Sequence, residues 1–497
     1  MTSEHGRAVV IGAGIAGLVT AKVLRDDGFD VTAFEKESAI GGVWAESRTY
    51  PGLRTNNSRK TYAFSDHPYD PSSDLFPTAI QVRAYLASYL ARFRLAPLIR
   101  LSTEVLRVSK RGDGFEVAVR GPEGTATVEC EFVVICSGTF SEPSAPKVDG
   151  LDRFAGTVVH SSQATDPTLV TDRRVVVVGA GKSALDCAAW AAASAQCCTL
   201  IFRTPHWMSP RFLPGGIPID RLLLGRVAEL FCRYHRPNRV EAFLHGQAAI
   251  LMRLFWRVTG TLFRASLRMP ATMVPEERLP LGVESLGFAP EFYELARRGL
   301  LDWRRDEISA LGAGGLIYLA GGDRITADVV IFATGWRQSL RFLAPELQSA
   351  TQHDGQLQLY RHILPPTEQR LGFVGFASST ACQLTSEISA HWLSQTFRGE
   401  LTLPAVAEMN AEIRRVHAWL AEVFPARPEG YFLGPNLTHH IDELLADMGV
   451  PTRRSRNAFA EYLGAFTPAR YRGVADQRRV ARTSSPKLDG GSEKQVG

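Results

Sequence analysis

The sequence predicts an α/β fold containing two similar units, in each of which a buried strand runs into a glycine-rich turn and then a helix. The first unit includes "RAVVIGAGIAGL" (7–18), and the second includes "RRVVVVGAGKSALDCAAW" (173–190). A strand, a G-x-G turn and a helix in this order are typical of a Rossmann-like domain, whose turn holds the phosphates of a dinucleotide. The repeat therefore predicts two Rossmann-like dinucleotide-binding domains in one chain.

Composition narrows the class of protein. The chain has 497 residues, of which 45% are hydrophobic, and a formal net charge of +5. This length accommodates two or three domains. Basic residues are spread along the chain, so we expect no nucleic-acid binding. Seven cysteines without a C-x-x-C pair argue against a zinc site or a dithiol reductase, and with the polar start "MTSEHGR" they predict a cytoplasmic protein.

The first unit has the residues expected around a bound pyrophosphate. We predict a strand over 8–11, a helix to Arg25 and a second strand over 31–34. Gly12 permits the tight turn, Gly14 lets the backbone approach the phosphates, and Gly17 lets helix and strand pack closely. Glu35 ends the second strand, where a carboxylate can bind an adenosine ribose and would repel a 2'-phosphate. The ligand is therefore FAD or NAD.

Two further segments favour FAD. "GGVW" (41–44) follows the acidic residue, and "ADVVIFATGW" (327–336) is a strand that ends in Ala-Thr-Gly, an element of flavoproteins that bind two dinucleotides. The residues that these segments predict to bind FAD are Gly12, Gly14, Ile15, Ala16, Gly17, Glu35, Lys36, Gly42, Val43 and Trp44.

The second unit differs at positions that favour NADPH. Ala184 replaces the third glycine, and Arg203 stands near the position where the first unit has Glu35. A guanidinium binds a phosphate through two hydrogen bonds, and Lys182 adds positive charge at the turn. The residues that the second unit predicts to bind NADP are Gly179, Gly181, Lys182, Ser183, Ala184, Arg203 and Thr204.

The order of these segments predicts one nucleotide domain inserted into another, an arrangement that is glutathione-reductase-like. We assign 1–165 to the first part of the FAD-binding domain and 166–325 to the NADPH-binding domain. A helical insertion occupies about 215–290 within the latter. The second part of the FAD-binding domain and C-terminal helices occupy 326–477. The tail 478–497 is poor in apolar residues, so we predict that it is disordered.

The segment 221–269 has bulky apolar residues at helical spacing with arginines on the other face. Two interpretations remain open. The segment is a helical lid over a substrate cavity, which we favour, or a basic amphipathic surface that makes a peripheral membrane contact. Aromatic residues in this part of the chain are expected to help wall an apolar cavity; they are Trp207, Phe231, Tyr234, Phe255, Trp256 and Phe263. No window is apolar enough to predict a transmembrane helix.

Several segments match one family in order. They are the two glycine turns, "GGVW", "YPGLRTNNSRKTYAFSDHPY" (50–69), "FAGTVVHSSQA" (154–164), "FATGW" (332–336) and the block 372–404. With these segments, residues 7 to about 405 resemble the class B flavoprotein monooxygenases, specifically the flavin-containing monooxygenases that oxidise nitrogen or sulfur. "GKSALD" in the second turn resembles divergent branches of that family.

The identifying motif of that family is matched only in part. Phe154, Gly156 and His160 fit F-x-G-x-x-x-H, but Ala164 stands where the family has Tyr or Phe. The related Baeyer–Villiger monooxygenases have Trp at this position. We interpret His160 as a residue that holds the two domains in register rather than one that transfers protons.

Asn56 is the residue to which the resemblance assigns a catalytic role. It matches an asparagine that the family places beside the flavin and the nicotinamide, where Baeyer–Villiger enzymes usually have Asp. An amide can hydrogen-bond a flavin hydroperoxide and leave it protonated, which suits oxygen transfer to a soft nucleophile. The resemblance adds Asn56 and Asn57 to the residues predicted to bind FAD, and Thr55 and Asn56 to those predicted to bind NADP. Asn57 follows Asn56 directly, and which of the two amides points inward stays open.

The resemblance implies a monooxygenase that uses NADPH, FAD and O2. It would transfer one oxygen atom from a C4a-hydroperoxyflavin to a small-molecule substrate, an apolar amine or thioether. Three alternatives stay open. One is Baeyer–Villiger insertion into a ketone, and another is a non-oxygenating NADPH:quinone or NADPH:protein oxidoreductase. The last is a flavin-binding interaction protein whose helices in 221–269 dock a partner or membrane.

Overall fold

Two parallel sheets form the centre of the protein in the computed structural model, which describes residues 5–281, 283, 286–425, 429 and 431–484. The strands are β1 (Arg7–Ile11), β2 (Asp30–Phe34), β3 (Ile99–Arg100), β4 (Glu104–Arg111), β5 (Gly114–Gly121), β6 (Gly124–Cys130), β7 (Phe132–Ile135), β8 (Glu142–Pro143), β9 (Thr157–His160), β10 (Arg174–Val178), β11 (Cys197–Phe202), β12 (Phe212–Leu213), β13 (Ile217–Pro218), β14 (Asp302–Arg305), β15 (Ile308–Leu311), β16 (Leu316–Leu319), β17 (Arg324–Thr326), β18 (Val329–Phe332), β19 (Trp336–Arg337), β20 (Gln352–His353), β21 (Gln356–Leu357), β22 (Leu371–Phe373), β23 (Ser378–Ser379) and β24 (Phe432–Gly434). The helices are α1 (Ile15–Asp26), α2 (Ala79–Arg92), α3 (Lys182–Ala191), α4 (Asp220–Leu223), α5 (Arg226–Glu229), α6 (Arg239–His245), α7 (Ala249–Leu267), α8 (Pro290–Arg297), α9 (Pro345–Thr351), α10 (Cys382–Phe397), α11 (Val406–Val423), α12 (Leu437–Asp447), α13 (Ala458–Tyr462) and α14 (Val474–Ser484).

The first parallel sheet has the strand order β22-β7-β1-β2-β3. Strand β1 lies between β2 and β7, and its apolar residues are buried on both faces, as expected for the centre of a parallel sheet. Helix α1 follows the glycine turn and packs against α10 on one face. The predicted strand over 8–11, helix to Arg25 and strand over 31–34 agree with β1, α1 and β2 to within one residue.

The second parallel sheet has the order β14-β11-β10-β18-β9 and contains the second predicted unit, β10–α3–β11. The domain boundaries predicted near 165 and 325 need correction. Strand β9 lies before 165 and β18 lies after 325, yet both belong to this sheet, because β18 pairs in parallel with β10 on one side and β9 on the other. An apolar strand carries no local mark of the sheet that it joins, so the sequence pattern placed these two strands in the wrong domain.

Antiparallel strands cover the second face of each parallel sheet. Strands β4-β5-β6 share an apolar core with β1 and β7, in which Phe115 and Val117 are buried. Strands β15-β16-β17 share a core with β10 and β18, in which Ile317 is buried. Each dinucleotide domain is therefore three-layered, with helices on one side of the parallel sheet.

The helical insertion lies between β13 and α8, within the range predicted for it, and comprises α4–α7. Helix α7 buries Met252, Trp256 and Phe263 on one face and exposes Ile250 and Leu254 on the other. Among the described helices, none combines the length and apolar content needed to cross a bilayer.

The predicted disordered tail is wrong for 478–484, which continue α14. Arg478 is buried and forms an ion pair with Asp27, a buried residue at the end of α1. Because this buried ion pair joins residues far apart in the chain, a local composition poor in apolar residues did not reveal it. Residues 485–497 lie outside the described residues, and the prediction for them remains untested.

Candidate functional site

A cavity of about 550 Å³, hereafter the inner cavity, lies where the two parallel sheets and the helical insertion meet. Both glycine turns reach it through the first residues of the helices that follow them. The predicted cofactor residues that line it are Ile15, Ala16, Gly42, Val43, Trp44, Asn56, Asn57, Lys182 and Ser183. The other predicted residues lie around the turns and strand ends outside this lining; they are Gly12, Gly14, Gly17, Glu35, Lys36, Thr55, Gly179, Gly181, Ala184, Arg203 and Thr204.

The first glycine turn is closed by contacts between main-chain atoms. Gly12 has a φ of +105°, and a Cβ there would lie 2.7 Å from the carbonyl oxygen of Cys136. A Cβ on Gly17 would lie 1.9 Å from the carbonyl oxygen of Gly12, so helix α1 can approach the turn only with glycine there. No side chain caps the N-terminus of α1 at Gly14, which leaves its first N–H groups available to an anion.

Glu35 fixes the shape of this turn. Its buried carboxylate accepts hydrogen bonds from the N–H groups of Ala13 (2.7 Å) and Glu37 (3.0 Å). Each carboxylate oxygen can accept a second bond, so these contacts leave capacity for a ribose hydroxyl. Lys36 and Ser102 line a shallow cavity of about 430 Å³ beside it, where the sequence placed the adenosine end of FAD.

The "GGVW" segment is attached to the same turn. The N–H of Gly41 donates to the carbonyl of Ala13 (3.1 Å), and a Cβ on Gly42 would lie 3.2 Å from Gly14 Cα. Trp44 is buried and donates its indole N–H to the hydroxyl of Tyr62 (3.0 Å). The first turn and this segment thus form one continuous wall of the inner cavity.

The two adjacent asparagines have different surroundings. Asn57 donates its side-chain N–H to the carbonyl of Thr380 (2.5 Å), and its own carbonyl accepts from the Thr55 hydroxyl (2.8 Å). Asn56 lines the inner cavity, and its Oδ1 is buried without a hydrogen-bond partner among the described residues. A buried amide oxygen without a partner is costly, so Asn56 has capacity for a ligand and Asn57 and Thr55 hold the loop.

The second glycine turn is more open than the first. Gly179 has a φ of +134°, and a Cβ there would lie 2.5 Å from the carbonyl oxygen of Ala333. A Cβ on Gly181, however, would meet no atom within 4 Å. Ala184 is fully buried beside Gly179, which explains why a methyl group is tolerated at the third position of this turn. The N-terminus of α3 also has no side-chain cap.

Lys182 is not a free positive charge. Its ammonium group forms an ion pair with Asp186 one helical turn later, and Asp186 also accepts from the hydroxyl of Tyr50 (3.0 Å). Burial raises the pKa of Asp186, while Lys182 and Tyr50 act in the opposite direction. Tyr50 comes from the first domain, so this cluster joins the two domains at the inner cavity. The K-x-x-x-D spacing was a sequence signal for the pair, but the partnership with Tyr50 was not visible.

Arg203 lies just beyond the end of β11, as predicted, and is well exposed. Its side chain is 74% exposed, with one ion pair to Glu307 at 3.5 Å. Arg305, at the end of the neighbouring strand β14, donates to the carbonyl of Arg203 (3.1 Å) and was missed in the sequence. Two guanidinium groups therefore stand at adjacent strand ends, a suitable position for a phosphate. Thr204 follows at the exposed surface.

His160 lies at the end of β9 and contacts the part of the "FATGW" segment that follows β18. Its Nε2 donates to the carbonyl of Gly335 (3.0 Å), and its Nδ1 contacts the hydroxyl of Ser162 (2.9 Å). Burial lowers the pKa of His160, which favours the neutral ring. A Cβ on Gly156 would lie 2.4 Å from the carbonyl oxygen of Asp328, so this motif glycine serves strand packing. These contacts lie within the second domain, so they support a structural role for His160 but not the predicted one of holding two domains in register.

The insertion supplies the apolar side of the inner cavity. Four of the six aromatic residues singled out in the sequence line it, namely Phe231, Phe255, Trp256 and Phe263; Trp207 and Tyr234 are buried elsewhere. The indole of Trp256 donates to the main-chain carbonyl of Phe231 (2.9 Å), which orients the indole at the cavity wall. The lid interpretation of 221–269 is therefore supported by the inner face of these helices.

Comparison with known proteins decides the family. The model of the FMO-like family, described as flavin-binding monooxygenase-like, matches residues 5–253 and 304–455. The chain belongs to this family. Among similar proteins is "Probable flavin-containing monooxygenase 1" of Arabidopsis thaliana, which is 28% identical and covers 93% of this chain and 94% of its own length.

Solved structures support the same fold. The S-allyl-L-cysteine S-oxygenase from Allium sativum superposes with a TM-score of 0.62 at 20% identity, over 97% of this chain and 95% of that one. An open structure of cyclohexanone monooxygenase gives a TM-score of 0.68 at 21% identity, over 89% and 98% of the two chains. At this identity the likeness concerns the fold alone, and it confirms two Rossmann-like domains.

Membership of the flavin-binding monooxygenase-like family confirms several predictions. The chain is a flavin-dependent monooxygenase-family enzyme, an oxidoreductase, and FAD and NADP are the cofactors of this family. The residues fit these cofactors, because two uncapped helix N-termini, two glycine turns and the unpartnered Oδ1 of Asn56 surround the inner cavity. The individual contacts to each cofactor remain predictions.

Proposed function

We propose that the protein is an NADPH- and FAD-dependent monooxygenase that adds one oxygen atom of O2 to the nitrogen or sulfur of an apolar amine or thioether. Substrate, NADPH, a proton and O2 would give the oxygenated substrate, NADP⁺ and water. The observation that carries the proposal is Asn56, a neutral amide with a free buried acceptor in the inner cavity.

The residues divide the work between the two turns. FAD, when bound, supplies the two-electron redox chemistry and the activation of O2. The first turn with Glu35 would hold its pyrophosphate and ribose, and the second turn with Arg203 would hold NADPH. Asn56 would hydrogen-bond the reacting oxygen without adding a negative charge. Phe231 and Trp256 exclude water from the same space.

The direct test is product analysis under 18O2. The purified flavoprotein is given NADPH with thioanisole, a tertiary amine or a cyclic ketone, and oxygen incorporation is measured by mass spectrometry. We expect a labelled sulfoxide or N-oxide at a rate that follows NADPH oxidation. Ester or lactone as the sole product would establish Baeyer–Villiger activity instead. Substrate-dependent NADPH oxidation without oxygen and without oxygenated product would establish a reductase.

Asn56→Asp tests the role assigned to the amide. An ionised carboxylate only accepts hydrogen bonds and cannot donate to the reacting oxygen as the amide N–H can, so we expect oxygenated product per NADPH consumed to fall about tenfold. Flavin reduction by NADPH, followed anaerobically by stopped flow, should change much less. Asn57→Asp is the matched control, because it adds the same charge but loses the Thr380 bond and should lower thermal stability instead. Equal coupling in Asn56→Asp and the parent would refute the role.

Location and surface contact form a separate part of the proposal. We infer a cytoplasmic location, which is consistent with seven free cysteines. The outer face of the insertion exposes Phe243, Val258 and Leu262 among arginines, which supports a peripheral membrane contact in addition to the lid. Cosedimentation with anionic vesicles should fall on Val258→Asp with Leu262→Asp. Undiminished cosedimentation would leave only the lid role.

A further inference from the structure

A second apolar cavity lies directly outside the first. This outer cavity has a volume of about 630 Å³ and is bounded by α7, residues 278–281 with Val283, and the end of α11. It is of the size that usually holds a small molecule, roughly 300–1,000 Å³. Its apolar lining includes Met252, Leu281 and Phe424. It is therefore a second candidate binding site in the insertion.

The two cavities share one wall of side chains. The residues that line both are Phe231, Cys232, Trp256, Leu279 and Val283. Phe231 also stacks on Phe255, with ring centroids 3.8 Å apart. Because these side chains line both cavities, one elongated ligand would span the two cavities if a side chain of this wall changed its rotamer.

The outer cavity has a mostly apolar lining, but arginine side chains also line it and make it basic. Arg253 and Arg257 lie one helical turn apart on α7, and Arg278 lies on the opposite wall. None of these three forms an ion pair with any residue that the structure describes. Arg233 also lines the cavity but is already paired with Glu422, which is the one acidic side chain among the described residues of the lining.

This combination selects a class of ligand. Three guanidinium groups around an apolar cavity favour an anionic group that hydrogen-bonds them, attached to a body that fills the apolar space. A neutral apolar molecule would form no charge-assisted hydrogen bond with the arginines, and a positively charged ligand would be repelled by them. The ligand chemistry that fits is an amphiphile with a carboxylate, sulfonate or phosphate at one end.

We propose that the outer cavity binds the anionic head of an amphiphilic substrate whose apolar body crosses the Phe231–Trp256 wall and presents a nitrogen or sulfur atom near Asn56. The proposal deepens the proposed function and rests on it for the position of the reacting atom. The binding of an anionic amphiphile to the outer cavity, in contrast, does not depend on the reaction.

Binding is tested first, with dansyl-undecanoate as the probe and the FAD-loaded protein without vesicles. We expect Arg253→Ala with Arg257→Ala to weaken binding about tenfold or more, because two charge-assisted contacts are lost. The matched control is Arg239→Ala with Arg264→Ala, which removes the same charge from α6 and α7 outside the cavity and should change binding less than about twofold. An equal loss in both double variants, or no loss in either, would overturn the site.

Turnover is tested with ω-methylthio-undecanoate and its methyl ester. We expect the parent protein to prefer the acid in kcat/KM, and the Arg253/Arg257 double variant to lose that preference about tenfold. If thioanisole is oxygenated but acid and ester are equivalent, this inference fails and the proposed function stands. If neither a thioether nor a tertiary amine is oxygenated while the probe still binds through the arginines, the proposed function fails and the site stands. Probe binding only in the presence of phosphatidylglycerol vesicles would assign the arginines to a membrane surface and overturn the proposal.

Discussion

The two glycine turns have the same local fold but different surroundings. Around the first, Glu35 bonds the N–H of Ala13 within the turn, and "GGVW" packs against Gly14. Around the second, the space next to Gly181 is open, and Arg203 beyond the following strand is exposed to solvent. The first turn is thus enclosed by its own chain, while the second is accessible.

This difference in surroundings explains how the same glycine-turn motif can bind two different nucleotides. An enclosed turn suits a cofactor that stays bound, because several segments must separate before it can leave. An open turn followed by a flexible guanidinium suits a nucleotide that binds and leaves in each cycle. This asymmetry supports the assignment of FAD to the first turn and NADPH to the second.

The first prediction, with the largest expected effect, is that one added methyl group has different consequences in the two turns. In Gly17→Ala the new Cβ would overlap the carbonyl oxygen of Gly12, so we expect loss of bound flavin and a loss of stability of at least ~3 kcal/mol. In Gly181→Ala the Cβ meets open space, so folding and flavin content should be retained while KM for NADPH rises about tenfold.

Flavin absorbance after gel filtration and thermal unfolding would be measured on both variants. Equal flavin content and equal melting temperatures would show that the two turns are equivalent. That result would remove the structural basis for assigning a retained and an exchanging nucleotide.

The second prediction concerns the residues that follow the two turns. Arg203→Ala removes the guanidinium that would bind the 2'-phosphate, and we expect kcat/KM for NADPH to fall at least about tenfold with NADH little affected. Arg304→Ala is the matched control, since Arg304 lies on β14 with its side chain paired to Asp323 at 2.8 Å. Parallel losses with NADPH and NADH would contradict a role in phosphate selection.

The sequence predicted what depends on nearby residues. Gly12, Gly17 and Gly179 were correctly interpreted because a tight turn leaves a local signature of glycines between a strand and a helix. The lid was partly predicted, because apolar spacing in α7 reports one buried face.

What was missed depends on residues far apart in the chain. Tyr50 and Asp186 meet only because two domains pack together, and Arg478 is ordered by Asp27 from the opposite end of the chain. Strand β18 enters the second sheet through pairing that no local pattern encodes. Long-range charge pairing and strand order are therefore the parts that needed the structure.

The third prediction concerns the pH dependence of a contact between the insertion and the C-terminal part of the first domain. His439 on α12 lies between Glu229 on α5 and Glu241 on α6, with 2.8 Å from its Nε2 to Glu241. Burial alone would lower the pKa of His439, but hydrogen bonds and charge from both carboxylates raise it to about 10. The folded pKa exceeds the unfolded value near 6.5, so this stabilisation is complete below pH 6.5 and is lost as pH rises toward 10.

Melting temperatures of the parent and His439→Gln between pH 6 and 10 would test this prediction. We expect the parent to lose at least about 4 °C more than the variant over this range. Parallel pH profiles would mean that the imidazolium does not hold the insertion to the first domain.

The smallest effect is expected at Lys182, and it is the finest test of the comparison between the turns. Because Asp186 already neutralises Lys182, its removal should raise KM for NADPH less than about threefold, far less than the loss at Arg203. In Asp186→Asn the lysine is released, so KM for NADPH should fall. A loss in Lys182→Ala as large as that in Arg203→Ala would mean that Lys182 leaves Asp186 for a phosphate when NADPH binds. The second turn would then bind its nucleotide through a switched ion pair, whereas the first turn relies on a fixed main-chain cradle.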